Sequence, residues 1–130
     1  MKKFLTRKLV THETLNPRGY LHGGELLKWI DEEGGIHAGL ELNTSLIVTK
    51  KMSEIDFKFP VILGDVVEIG METKQIGKSS CTLSCEVRSL HADRTVLTID
   101  EIVYVRVNKY GLPKGHGWMR RHIDEVDKET

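Results

Sequence analysis

No stretch of this chain is apolar for long enough to cross a bilayer, and the start "MKKFLTRKLVTHE" carries lysines without the apolar run of a secretory leader. A cytoplasmic protein is expected. Neither sign of charge is in excess, since 19 Lys plus Arg meet 19 Asp plus Glu. Such a chain has no overall field to draw it onto nucleic acid or an anionic membrane, so neither is expected as a partner, and an anionic ligand must be met by a local cluster. Cysteine is scarce. Cys81 and Cys85 lie four apart in an alternating segment, on one face and about 13 Å from each other, too far for a disulfide. They read as two reduced, half-buried thiols. The six histidines show neither HxxxH nor HExxH spacing, so no metal site is expected.

What the chain does have is a change of period. "FLTRKLVTHE" alternates as an edge strand does, and Pro17 and Gly19 in "TLNPRGYLH" mark a turn. From Gly24 the apolar spacing becomes helical, with Leu27, Ile30, Gly34 and Ala38 three or four apart and Glu25, Lys28 and Glu32 on another side. Gly34 and Gly35 each lower helix propensity by about 1 kcal/mol relative to alanine, which points to a close approach at that level. After "LELNT" the period is two. "SLIVTKKMSEIDFKF" places Ile55, Phe57 and Phe59 on one side, "DVVEIGMETKQI" offers Val67, Ile69 and Met71, and "CTLSCEVRSL" offers Cys81, Leu83, Cys85 and Val87. "TVLTIDEIVYVRV" adds Leu97, Ile99, Val103, Val105 and Val107, and "GKSS" and "HADR" have the composition of hairpin loops.

The order is therefore strand, helix, then about four antiparallel strands: an α+β domain in which a curved sheet of about five strands wraps one long helix. One domain accounts for the 130 residues. The charged end from residue 114 to 130 reads as a solvated tail, with Trp118 as its one docking side chain.

With that order in place, "NPRGYLHGGELLKWIDEEGGIHA" resembles the loop and helix of the hotdog-fold acyl-CoA thioesterases, in particular the acyl-CoA hydrolase subgroup. "VTKKMSEIDFKFPVILGDVVEI", "IGKSSCTLSCEV" and "YVRVNKYGLP" resemble further segments of that subgroup in the same order. The likeness runs from about residue 5 to 113, so a single hotdog thioesterase domain over 1–113 is expected. The resemblance implies hydrolysis of a fatty or short-chain acyl-CoA to free acid and CoA. It further implies homodimers with active sites between protomers and frequent assembly into trimers of dimers. Coenzyme A would be part of the substrate, and no separate cofactor is expected.

Thioester hydrolysis needs an activated water and a place for negative charge on the carbonyl oxygen. A helix start at Gly23 and Gly24 supplies backbone N–H groups without intrahelical partners and the positive end of the helix dipole. Gly24 is the candidate oxyanion donor, with Gly23 and His22 shaping the approach. Asp31 stands at the border of the apolar stripe, seven residues or about 10 Å beyond Gly24 along the axis. That distance is too great for one carbonyl, so the family's dimer would have to bring one chain's helix start to the other's acid. Asp31 would then activate water, or attack as a nucleophile. Asn16 matches the family asparagine before the glycine loop and offers an amide to water or carbonyl. Thr49 matches a family threonine, which would touch the acyl thioester or the acid; its plainer reading is a half-buried strand residue.

For the CoA portion, Gly77, Lys78, Ser79 and Ser80 offer a turn with backbone N–H groups, a cation and two hydroxyls, and Lys58, Arg88 and Arg106 are further cations for phosphate. Plainer readings stand beside these. A Gly-Gly pair can be a tight helix start, Asp31 a solvated helix residue, and "GKSS" an ordinary hairpin. A non-catalytic acyl-CoA sensor, or a dehydratase or hydratase with a histidine facing an acid across a dimer, would use the same fold.

Overall fold

A computed structural model describes residues 2–110. The expectations for Trp118, for the tail 114–130 and for the last residues of the domain lie outside the described residues.

Strand β1 (Lys3–Leu9) leads through a 3-10 turn at His12–Thr14 and a loop into helix α1 (Gly23–Leu42). The helix is 20 residues long, about 30 Å at 1.5 Å per residue. It ends because Asn43 turns left-handed, φ 53°, and its N–H closes back on Gly39 O. Five strands follow: β2 (Ile47–Met52), β3 (Ile55–Phe57), β4 (Val66–Ile76), β5 (Ser80–Ser89) and β6 (Arg94–Arg106). All pairings are antiparallel, in the order β1-β4-β5-β6-β2, with β3 also on β6.

The expected five-strand sheet thus has six. The stretch read as one strand from residue 45 to 59 is two, β2 and β3, laid end to end along the same edge of β6. The break has a local cause: Ser53 N donates to Glu101 O at 2.8 Å and Glu101 N donates to Ser53 Oγ at 3.0 Å, so a side chain replaces one rung of the ladder. Opposite it β6 bulges. Leu83 pairs with Ile102 but Cys85 with Ile99, so three steps on β6 span two on β5.

That bulge reverses which residues face the helix. Ile99 points inward before it, and Ile102 and Tyr104 point inward after it, whereas Val103, expected on the core side, is only half-buried. The helix presents Leu26, Trp29, Ile30, Gly34 and Ala38 to this inner face. Leu27, expected in the buried stripe, sits at its margin. Against them stand Ile69, Met71, Leu83, Cys85, Val87, Leu97, Ile99, Ile102 and Tyr104, in one continuous core. Each large apolar side chain in it contributes about 1.5–3 kcal/mol of burial. Cys81 and Cys85 are fully buried and free, not half-buried.

Gly34 supplies the close approach anticipated from the glycine pair. A Cβ there would overlap the Tyr104 hydroxyl and lie 2.7 Å from Tyr104 Cζ, so the tyrosine fits only because the side chain is missing. Gly35 faces open space.

Candidate active site

Asp31 is set on the third turn of α1, where the helix faces the β2–β6 edge of the sheet. Its Oδ1 accepts hydrogen bonds from Thr49 Oγ1 at 2.6 Å and from Tyr104 Oη at 3.1 Å, and the tyrosine hydrogen is shared with Asp31 backbone O at 3.2 Å. Oδ2 meets no donor among the described residues. Thr49 and Tyr104 are register partners across the β2–β6 ladder, so both donors are delivered by one rung. Burial, and after it the negative charge of Asp31, pushes the Tyr104 phenol far above its ordinary range. It remains a protonated donor at any physiological pH. Asp31, Thr49 and Tyr104 open into a cavity of about 900 Å³ along the second half of α1, walled by Ile36, Leu40 and Ile47. Ile36 and Leu40 are largely exposed on that wall.

Asn16 and Gly23 line a different cavity, about 360 Å³, with Tyr20, Phe57 and Lys58. Asn16 organises its loop. Its Oδ1 accepts from Arg18 N at 2.9 Å and Tyr20 N at 3.1 Å, and its backbone bonds to Tyr20 O and Gly19 N, while the Nδ2 amide meets no acceptor among the described residues. Within one chain, then, the expected acid faces one space and the expected asparagine and Gly23 face another.

His22 is the N-cap of α1, and its Nδ1 accepts from Gly24 N at 3.0 Å. Glu25 N and Leu26 N both donate to His22 O. The Gly24 N–H, expected to serve an oxyanion, is therefore occupied. The Gly23 N–H has no acceptor among the described residues, and a Cβ at Gly23 would meet the Phe57 ring at 3.4 Å. At the helix start the first helical N–H, not the second, is without an acceptor among the described residues.

The 77–80 segment closes the β4–β5 hairpin. Gly77 N donates to Ser80 O at 2.8 Å, and Ser79 is buried with its O accepting from Arg106 N at 2.7 Å, so part of the backbone expected to be open is engaged. Lys78 is exposed. Of the additional cations, Lys58 is paired with Asp56 at 2.7 Å and Arg88 with Asp93 at 3.3 Å. Arg106 Nε is buried without a hydrogen-bond partner among the described residues.

The residue that sequence reasoning passed over is Tyr104. Its signal, one hydroxyl-bearing aromatic in a strand of valines and isoleucines, was hidden by the β6 bulge, which puts it on the face that simple alternation assigns to Val103. No three His, Cys, Asp or Glu side chains among the described residues gather to hold a metal ion. No helix among the described residues is long and apolar enough to cross a membrane.

Residues 18–96 match the family described as the thioesterase superfamily, a span holding the glycine helix start, Asp31, Thr49 and the 77–80 turn. The chain belongs to the thioesterase superfamily. This superfamily member is 29% identical over 108 residues to an uncharacterized acyl-CoA thioester hydrolase of Buchnera aphidicola, covering 78% of this chain and 79% of that one. It is 27% identical over 86 residues to a putative esterase of Caenorhabditis elegans, covering 66% of this chain, and the chain spans about half the length of that relative. Among solved structures, the hexameric thioesterase y2039 of Yersinia pestis superimposes with a TM-score of 0.80 at 27% identity, covering 88% of this chain and 95% of that one. The wrapped helix is the hotdog fold anticipated from the sequence.

Proposed function

We propose that this superfamily member is an acyl-CoA thioesterase in which Asp31 activates water. The observation that carries the reading is the carboxylate itself: Oδ1 is held by Thr49 and Tyr104, which leaves Oδ2 without a donor among the described residues on a side chain that lines the cavity. Oδ2 takes a proton from water as the water oxygen attacks the thioester carbonyl carbon. The carbonyl oxygen becomes an oxyanion, and the Gly23 N–H at the positive end of α1 is the donor placed to receive it. When the C–S bond breaks, CoA leaves as a thiolate and takes the proton back from Asp31, giving free acid, CoA and the starting carboxylate. No separate cofactor enters this balance.

Asp31 and Gly23 face different cavities in one chain, so the reading requires two chains, the acid from one meeting the helix start and Asn16 Nδ2 of the other. The exposed apolar wall of Ile36 and Leu40 and the edge position of β2, which no further strand among the described residues pairs, support such pairing, and the Yersinia relative is hexameric. We assign this chain a dimer as its minimal unit, assembling as a trimer of dimers. The 77–80 turn with Lys78 is assigned to the CoA portion.

Release of CoA thiol from acetyl-, butyryl-, octanoyl- and palmitoyl-CoA tests the reaction, with Asp31→Asn expected to lose at least about a hundredfold in turnover. Mixing two inactive variants tests the shared site. A mixed dimer of Asp31→Asn and Asn16→Ala chains holds one site with both residues intact, so activity should return on mixing. Turnover that stays absent after verified exchange of chains would place both residues in one protomer.

A further inference from the structure

We propose that Tyr104, admitted by the missing side chain at Gly34, is the residue that positions Asp31 for the reaction. The inference rests on the reading of Asp31 as the base and deepens it.

Four observations support it. First, Tyr104 is 1% exposed in the middle of the core, where a phenylalanine would fill the same space without requiring a partner for a buried hydroxyl. Second, the hydroxyl's only partners among the described residues belong to Asp31, the carboxylate Oδ1 and the backbone O of the same residue. It therefore ties the side chain of Asp31 to the helix turn that carries it. Third, Gly34 lies three residues on, and a side chain there would overlap the tyrosine oxygen. A helix tolerates the propensity cost of glycine at a buried position when another group needs the space. Fourth, the two donors to Oδ1 differ in rigidity. Thr49 is exposed on the edge strand β2, whereas Tyr104 is buried on β6 between β5 and β2. The tyrosine is thus the fixed reference and the threonine the exposed one.

The Tyr104 hydroxyl is engaged by Asp31 alone among the described residues, so it acts through Asp31. With Oδ1 occupied, Oδ2 is presented to water in one orientation. Without the hydroxyl, the carboxylate keeps one exposed donor and can rotate about its Cβ–Cγ bond. The consequence falls on turnover rather than on substrate binding.

The test compares Tyr104→Phe, Gly34→Ala, Asp31→Asn and the double variant Tyr104→Phe/Asp31→Asn on whichever of acetyl-, butyryl-, octanoyl- or palmitoyl-CoA the native protein cleaves fastest. Oligomeric state and melting temperature are checked for each. Tyr104→Phe should lower kcat about tenfold or more with KM held within about twofold, the loss appropriate to one hydrogen bond to a charged group. In the Asp31→Asn background the same change should cost nothing further, because the group it positions is already disabled. Gly34→Ala retains the tyrosine but displaces its oxygen, and should reproduce the kcat loss should Tyr104→Phe fail to fold. Native kcat in a folded Tyr104→Phe, a raised KM at unchanged kcat, or losses that multiply in the double variant would each overturn the role of Tyr104 while leaving Asp31 in place. Turnover retained by Asp31→Asn, or no cleavage of any of the four thioesters by the native protein, would instead remove the reading beneath it.

Discussion

Thr49 and Tyr104 face each other across one rung of the β2–β6 ladder, and both donate to the same oxygen, Asp31 Oδ1, at 2.6 and 3.1 Å. A carboxylate with two donors on one oxygen is asymmetric: Oδ1 is held in place, and Oδ2 meets no donor among the described residues. The shorter bond is the one from Thr49. Thr49→Val keeps the shape and removes the hydroxyl, and turnover should fall roughly tenfold, as for loss of one charge-assisted hydrogen bond. Steady-state kinetics on acyl-CoA checks this, and a change smaller than about twofold would leave Thr49 as a strand residue only.

His22 separates a structural role from a chemical one. As the cap of α1 it satisfies Gly24 N, so His22→Ala should lower stability by about 1 kcal/mol through the lost cap, readable as a shifted urea midpoint. A base would be missed far more. Turnover should stay within about fivefold of native after His22→Ala, and a loss of a thousandfold would make the imidazole the proton acceptor in place of Asp31.

Asp65 carries stability rather than chemistry. This buried carboxylate, 4% exposed, accepts from Ser89 Oγ at 2.6 Å, Val66 N at 2.7 Å and His91 N at 3.2 Å, tying the start of β4 to the end of β5. Asp65→Ala leaves the buried Ser89 hydroxyl and the part-buried Val66 and His91 N–H groups without this acceptor and should cost about 2–4 kcal/mol in denaturant unfolding. An unfolding midpoint equal to the native one would show the network to be dispensable.

The two thiols give a pH prediction. Burial pushes Cys81 up to about 11 and Cys85 up to about 12, from 9.0. Both pKa values are raised on folding, so the unfolded chain loses these protons first as pH rises. The stability the neutral thiols contribute is complete below pH 9 and is lost progressively between pH 9 and 12. Urea midpoints measured from pH 7 to 10.5 should be flat up to about 9 and then fall. At pH 8 a thiol reagent should label neither cysteine in the native protein and both in urea; rapid native labelling would contradict their burial.

The succession of strand, helix and antiparallel strands, the long helix, the hairpin at 77–80 and the position of Asp31 on the helix were legible from local pattern, whereas the division of residues 45–59 into β2 and β3 was not. Helical and strand periods are properties of neighbouring residues, and Gly34 announced a close approach without naming what approaches. Which N–H at the helix start stays free was not legible. His22 looked like a pocket residue, and its capping of Gly24 depends on the loop before it, where Asn16 folds the chain back on Tyr20.

By itself, then, the sequence determined an α+β wrap with one acid at the edge of the helix's buried stripe, because amphipathic periods and turn residues act over a few positions. Only the tertiary structure decided what holds that acid. The bulge at Asp100–Glu101 changes the phase of β6, turns Tyr104 inward, and sets it against a glycine 70 residues earlier in the chain. A register shift is a relation between strands, set by how three strands and a helix share one space, and no local spacing encodes it.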